Sequence, residues 1–158
     1  MTLLEQVLEQ LDGVECRHLR HAASRTTAEL AAARGCAVDV GLKALLMKVR
    51  GEWTTVVVRA HERTDNRVVR RALRSQKLRF LRSEELASLA LEPGQVPPFG
   101  RPVLPCRLVA DRGVLDGDAV AFTAGTWTDS LVMATSAWIE VAKPELFDLV
   151  GRGAGHDG

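Results

Sequence analysis

The 158-residue sequence contains no tyrosine, four phenylalanines and three tryptophans, and no apolar run approaches the roughly 18 residues that a membrane-spanning helix requires. Trp53, Trp127 and Trp138 are too scattered to form a stacking platform for single-stranded RNA. The three cysteines, Cys16, Cys36 and Cys106, are odd in number, widely spaced and unaccompanied by CxxC or a histidine pair. They signal neither a disulfide framework nor a zinc site, and read as buried, reduced thiols. No serine sits in GxSxG, no HxE with CxxC marks a metal deaminase, and neither GxGxxG nor GK[ST] follows a strand. The formal net charge is only +1, which by itself argues for no polyanionic partner.

What is present suits one ordinary domain. Hydrophobic residues make up 46% and charged residues 26%, and a chain of this length buries roughly 70% of its unfolded surface around a single core. Residues 1–150 are expected to form that domain, with GRGAGHDG at 151–158 as a disordered tail. The opening MTLLEQVLEQLDG spaces Leu3, Leu4, Val7, Leu8 and Leu11 as an amphipathic helix rather than a signal segment, so a cytoplasmic location is expected.

The remaining segments alternate. VECRHLR reads as a strand, and Thr26 with Glu29 forms a capping box for TTAELAAARG, which Gly35 stops. Leu42 to Val49 and Trp53 to Val58 flank a turn at Gly51-Glu52, and the run of three valines suits a strand covered on both faces. A basic helix is expected from Asp65 to Arg74, a strand at KLRF, a short helix capped by Ser83 at SEELASL, and a loop from Pro93 to Pro102. VLPCRLVA, AVAFTA and SLVMAT read as strands, and Trp138 to Val150 as helical. The expected fold class is therefore mixed α and β.

Charge is unevenly distributed. Residues 59–82 carry nine cations, among them Arg63, Arg67, Arg70, Arg71 and Arg74, against Glu62 and Asp65, a local excess of seven that would attract a phosphate backbone. A solvated helix face is the competing reading, since Val68, Val69, Ala72 and Leu73 supply the buried stripe.

Three further segments place glycines where backbone can approach a ligand, with one cation nearby: GLKALLMK at 41–48, GQVPPFG at 94–100 and FTAG at 122–125. Together with His21 ahead of the Thr26-capped helix, the intervening KLRFLRSEEL and the Ser130-Leu131-x-Met133 strand, they occur in an order that resembles the YbaK/prolyl-tRNA synthetase editing-domain family over residues 14–140. The resemblance implies a barrel-like mixed β-sheet surrounded by helices. It also implies a free-standing, trans-acting deacylase that hydrolyses the ester of a mischarged tRNA, with tRNA(Pro) as the expected acceptor, by substrate-assisted attack of water. No metal or cofactor is implied. The partner is tRNA, with an aminoacyl-tRNA synthetase as a further candidate and no membrane. A non-catalytic tRNA-binding or regulatory paralogue is the alternative.

On that reading Lys43, Gly94 and Gly125 form the catalytic set. The ammonium would neutralise the terminal phosphate or the oxyanion, and the two glycines would offer backbone to the substrate. Without the resemblance, Lys43 is a lysine reaching solvent from a strand edge, and the glycines are turn residues. His21, Leu42, Leu46, Pro97, Pro98, Phe99, Ser130 and Met133 are the expected substrate-binding residues, and Arg63, Arg67, Arg70, Arg71 and Arg74 the expected tRNA-binding ones. His18 and His61 receive no role. The chain departs from the family pattern at Ala44, Leu89-Ala90 and Thr123, which leaves open the amino acid removed. Walls of Leu42, Leu46, Leu131 and Met133 favour a small side chain such as Ala, Cys or Ser, but a methylene changes binding by only about 1–3 kcal/mol.

Overall fold

In the computed structural model, which describes residues 1–151, two threonines start the first two helices by the same chemistry. Thr2 Oγ1 accepts the Glu5 N–H at 3.1 Å while the Glu5 carboxylate accepts the Thr2 N–H at 2.8 Å, opening α1 (Leu3–Gln10). Thr26 and Glu29 repeat the exchange ahead of α2 (Thr27–Arg34), and Gly35 ends that helix at φ +68°, a conformation that glycine adopts without steric penalty. Both capping boxes satisfy donors that a helix start otherwise leaves unpaired. The expected tail lies outside the described residues from 152 onward.

The strands form two sheets. β1 (Cys16–Arg20), β6 (Ala119–Thr123) and β7 (Asp129–Ala134) make an antiparallel sheet in the order β1-β7-β6. The second sheet runs β4-β2-β3-β5-β8, from β4 (Leu78–Phe80) through the hairpin of β2 (Leu42–Val49) and β3 (Glu52–Arg59) to β5 (Arg107–Asp111) and β8 (Glu145–Phe147). β3, β5 and β8 pair in parallel, so the sheet is mixed. An isolated parallel bridge between Gly41 and Ala121 joins the two sheets, which do not close into a barrel through their named strands.

Burial follows the two-residue period of a strand. Leu42, Ala44 and Leu46 face the main core with Val57, Phe122 and Leu131, whereas Met47, Val49 and Val56 face a second cluster beneath α3 (Asn66–Ala72), where Val69 and Leu73 cover them. The hairpin is thus covered on both faces, as its valine run suggested. Cys106 is buried, while Cys16 and Cys36 are half-buried, and all three are free thiols.

Four local expectations need correction. The strand read at VLPCRLVA begins only at Arg107, with residues 103–106 in a turn. The hairpin turn sits one residue earlier than Gly51-Glu52, because Arg50 (φ +52°) and Gly51 (φ +80°) supply the two left-handed residues that a two-residue turn of this hand needs. Ser83 is the first residue of α4 (Ser83–Ala87) rather than its cap; the flanking residue is Arg82, whose N–H donates to the Glu85 carboxylate at 2.7 Å. The carboxy-terminal helix α5 (Thr135–Ala142) ends at Lys143, in the left-handed region at φ +50°, and Pro144 has no N–H to extend it. The chain beyond becomes β8 and pairs with β5.

Candidate functional site

The bridge between the sheets brings α2, the start of β2 and the proline-rich loop around a partly open cavity of about 160 Å³. Its wall is largely apolar, built by Leu30, Val38, Leu42, Ala44, Val96 and Ala121. Arg25, Thr27, Arg34, Cys36, Lys43 and Thr123 bring polar side chains to the lining, and Gly41 and Gly94 contribute backbone.

Lys43 is half-buried, and its ammonium makes no hydrogen bond or ion pair among the described residues. Burial lowers its pKa below the ordinary lysine value, Arg63 lowers it further, and Glu62 opposes both. A cation held in this way is available to an anion that enters the cavity.

Arg34 comes from the last turn of α2 and is 6% exposed. Its Nε donates to Ser130 Oγ at 2.9 Å and its Nη2 to Thr123 Oγ1 at 3.4 Å, and no carboxylate pairs with it among the described residues. Burial pushes this guanidinium down to about 10, with Cys36 acting the other way, so it remains charged at neutral pH. Ser130 is wholly buried and also meets His21 Nε2 at 2.8 Å, while His21 Nδ1 lies 2.8 Å from the Ala22 carbonyl. A carbonyl only accepts, so Nδ1 carries hydrogen and Nε2 of a neutral ring accepts from the Ser130 hydroxyl. The hydrogen bonds therefore run in one direction, from Arg34 through Ser130 to His21 and on to the backbone.

Gly94 has φ +93°, and the space of its missing Cβ is taken by an indole: an added Cβ would lie 2.9 Å from Trp127 Cη2. The Arg25 guanidinium covers the ring at 4.7 Å from its centroid. Pro97, Pro98 and Phe99 are buried behind this rim, where the Trp138 indole donates to the Pro98 carbonyl at 3.0 Å and Phe99 meets Phe122 edge-on. These contacts hold the loop against the core.

The residues expected from sequence thus divide. Lys43, Leu42 and Gly94 line the cavity; Ser130 and His21 stand one layer behind it through Arg34; Leu46, Phe99 and Met133 belong to the main core. Gly125 lies elsewhere, beside α1, where an added Cβ would meet Leu3 at 3.4 Å. Arg34 escaped sequence reasoning. Its signal was its position four residues after Leu30 on α2, a cation on the face that the helix buries, but an alanine-rich helix does not show which face that is.

Among the basic residues, Arg63, Arg67, Arg71 and Arg74 are exposed and Arg70 is half-buried. Arg79 is committed to Glu85 through two bonds of 2.8 and 3.0 Å. A groove of about 750 Å³ near the hairpin turn gathers Lys48, Arg50, Arg74 and Lys77. His18 instead donates to Asp129 at 2.7 Å. Burial works to raise the Asp129 carboxyl, but hydrogen bonds from Thr126, His18 and Thr128 outweigh it and hold the group below the ordinary value. No three His, Cys, Asp or Glu side chains are grouped to hold a metal ion, and no helix is long and apolar enough to cross a membrane, among the described residues.

The geometry has relatives. The Escherichia coli (strain K12) protein named multifunctional Ser/Thr-tRNA deacylase ProXp-y is 28% identical over 144 residues, covering 85% of this chain and 84% of its own length. A crystal structure of a candidate trans-editing enzyme for prolyl tRNA synthetase superposes with a TM-score of 0.83 at 22% identity, covering 96% of this chain and 99% of that one, which establishes the shared fold. The crystal structure of hypothetical protein APE2540 superposes at 0.80 with 26% identity, covering 91% and 98% of the two chains. The aminoacyl-tRNA editing domain itself matches residues 21–141, a span that holds the cavity, the arginine-rich segment and the proline-rich loop. The chain therefore belongs to the aminoacyl-tRNA editing domain family, whose members are enzymes that hydrolyse mischarged aminoacyl-tRNA.

Proposed function

We propose that this protein is a trans-acting deacylase, a single editing domain that clears a small amino acid from mischarged tRNA in the cytoplasm. The observation that carries the reading is the cavity: about 160 Å³, mostly apolar, with an uncommitted lysine on its wall. At roughly 30 Å³ per water this volume holds about five waters. It suits a small aminoacyl group and is too small for a nucleotide. The Ser/Thr named for the Escherichia coli relative fits such a space, as does alanine.

The reaction asks little of side-chain acid–base chemistry, because an aminoacyl ester is already reactive. Water has to be positioned and the developing negative charge stabilised. In this reading a ribose hydroxyl of the terminal adenosine and the backbone at Gly41 and Gly94 position the water. Lys43, beside Arg63, faces the terminal phosphate.

The exposed arginines support a tRNA partner. From Lys43 to Arg50 the strand advances about 23 Å at roughly 3.3 Å per residue, and cations flank it at both ends. An acceptor stem laid along this track places its terminal adenosine at the cavity, and tRNA(Pro) is the acceptor we propose. Incubation with tRNA(Pro) charged with Ala, Ser, Thr or Pro, and with the correctly charged tRNA(Ser) and tRNA(Thr), tests the assignment. Hydrolysis of one or more mischarged esters with Pro-tRNA(Pro) spared is the expected result. Binding of tRNA without hydrolysis of any ester would favour the non-catalytic paralogue.

A further inference from the structure

Arg34 is a charge held almost wholly out of water, with hydroxyls as its hydrogen-bond partners and no carboxylate beside it among the described residues. A guanidinium carries five N–H donors, and the bonds to Ser130 and Thr123 use two of them. Nη1 makes no hydrogen bond to another side chain among the described residues and lies beside Gly41, where an added Cβ would come into contact with it at 3.4 Å; both residues line the cavity, and with glycine there no side chain from position 41 covers this edge of the fork. Burying a cation without a counter-charge is unfavourable unless the site gains something from it. Here the gain is a rigid donor: Ser130, itself tied to His21, fixes the plane of the guanidinium before any ligand arrives.

We propose that Arg34 donates to the carbonyl oxygen of the aminoacyl ester and to the oxyanion that forms on it. The inference rests on the deacylase reading and adds the group that stabilises its transition state. Water oxygen bonds to the carbonyl carbon, and the C=O π pair moves onto the oxygen facing Arg34. When the pair returns, the bond to the ribose oxygen breaks, and the water proton passes to that departing oxygen. The products are the free amino acid and a tRNA with its terminal hydroxyl restored.

Burial separates this role from that of Lys43. Arg34 is almost wholly buried on the wall of a space of about 160 Å³, which fits the aminoacyl group of the substrate rather than its nucleotide. Lys43 is half-exposed beside Arg63, where a phosphate can approach with its water shell partly intact. Ser130 and His21 are positioning residues, acting through the guanidinium.

The test compares wild type, Arg34→Met, Arg34→Lys and Ser130→Ala on alanyl, seryl and threonyl esters of the same tRNA, with circular dichroism and thermal melting alongside. Loss of one preorganised oxyanion donor lowers kcat by about 100- to 1,000-fold. Arg34→Met is expected to show that loss on every ester the wild type hydrolyses, with KM nearly unchanged and a melting temperature no lower than wild type. Arg34→Lys is expected to keep part of the rate at pH 7 and to lose it as pH rises, because a buried ammonium gives up its proton far below guanidinium. Ser130→Ala is expected to lower kcat by a smaller factor. If Arg34→Met does not fold, Arg34→Lys decides: wild-type kcat across the pH range overturns the role. So does an Arg34→Met within threefold of wild type, or a loss confined to the seryl and threonyl esters, which would make Arg34 a reader of the side-chain hydroxyl. A wild type inactive on all esters overturns the deacylase reading as well; an active wild type with an active Met variant overturns Arg34 alone.

Discussion

Replacing Gly94 by alanine should destabilise the protein before it affects any substrate. The added Cβ would lie 3.1 Å from Trp127 Cζ3 and 2.9 Å from Cη2, the second closer than real Cβ atoms come to a neighbour. The Arg25 guanidinium lies over the ring, 4.7 Å from its centroid, so an indole pushed aside also gives up that contact. Overpacking of this kind costs about 1–3 kcal/mol. The backbone at φ +93° adds roughly 1–2 kcal/mol for any residue with a Cβ, giving a total of about 2–5 kcal/mol. Urea denaturation of wild type and Gly94→Ala measures it directly. In a Trp127→Leu background the steric part should vanish and the backbone part remain, so the coupling between the two substitutions should be about 1–3 kcal/mol. A loss below about 1 kcal/mol in the wild-type background would refute the packing argument. Unchanged stability with a large fall in kcat/KM would instead mean that the missing Cβ serves only substrate approach.

Lys43→Met should reduce deacylation by at least about tenfold, and activity equal to wild type would remove the ammonium from the mechanism. Because burial first and Arg63 second lower the folded-state pKa of Lys43 beneath its unfolded value of 10.5, the unfolded chain binds more protons in that window and stability rises with pH. The penalty for holding the charged form is complete at neutral pH, so the Met variant should melt above wild type at pH 7, with the advantage shrinking as pH rises toward 10.5. A Met variant that melts lower at pH 7 would contradict this sign. Charge reversal at the exposed Arg71 and Arg74 should weaken tRNA binding and reduce the log–log salt slope by about one for each phosphate no longer neutralised, and an unchanged slope would make them a solvated helix face. Thr26→Ala should cost about 1 kcal/mol by removing the hydroxyl that accepts the Glu29 N–H at 3.1 Å, measurable by thermal melting; no change would mean that tertiary packing alone holds the start of α2.

Local chemistry was legible where a rule operates within a few residues. Thr26, Glu29 and Gly35 announce α2 because capping acts across three or four positions and a left-handed stop favours glycine. The covered faces of β2 and β3 follow from apolar residues at both parities of the strand. β8 was hidden because ELF is three residues long and becomes a strand only where the edge of β5 accepts it. Ser83 has the composition of a cap, yet the register of α4 starts one residue earlier because the Glu85 carboxylate reaches back to the Arg82 N–H.

The sequence by itself determined the family, the mixed α and β class and Lys43 as a cation placed among apolar neighbours, because motif order and short-range periodicity are properties of the chain. Only the tertiary structure decided what surrounds that lysine. Arg34 and Ser130 are 96 residues apart and meet because the fold brings the last turn of α2 to a buried position of β7. Gly94, between Pro93 and Gln95, and Gly125, between Ala124 and Thr126, carry nothing in sequence that separates their surroundings, yet one borders the cavity under Trp127 and the other packs against Leu3. Burial and charge compensation depend on which distant segments close over a side chain, and that arrangement turns an inconspicuous arginine at the end of a helix into the buried donor of the site.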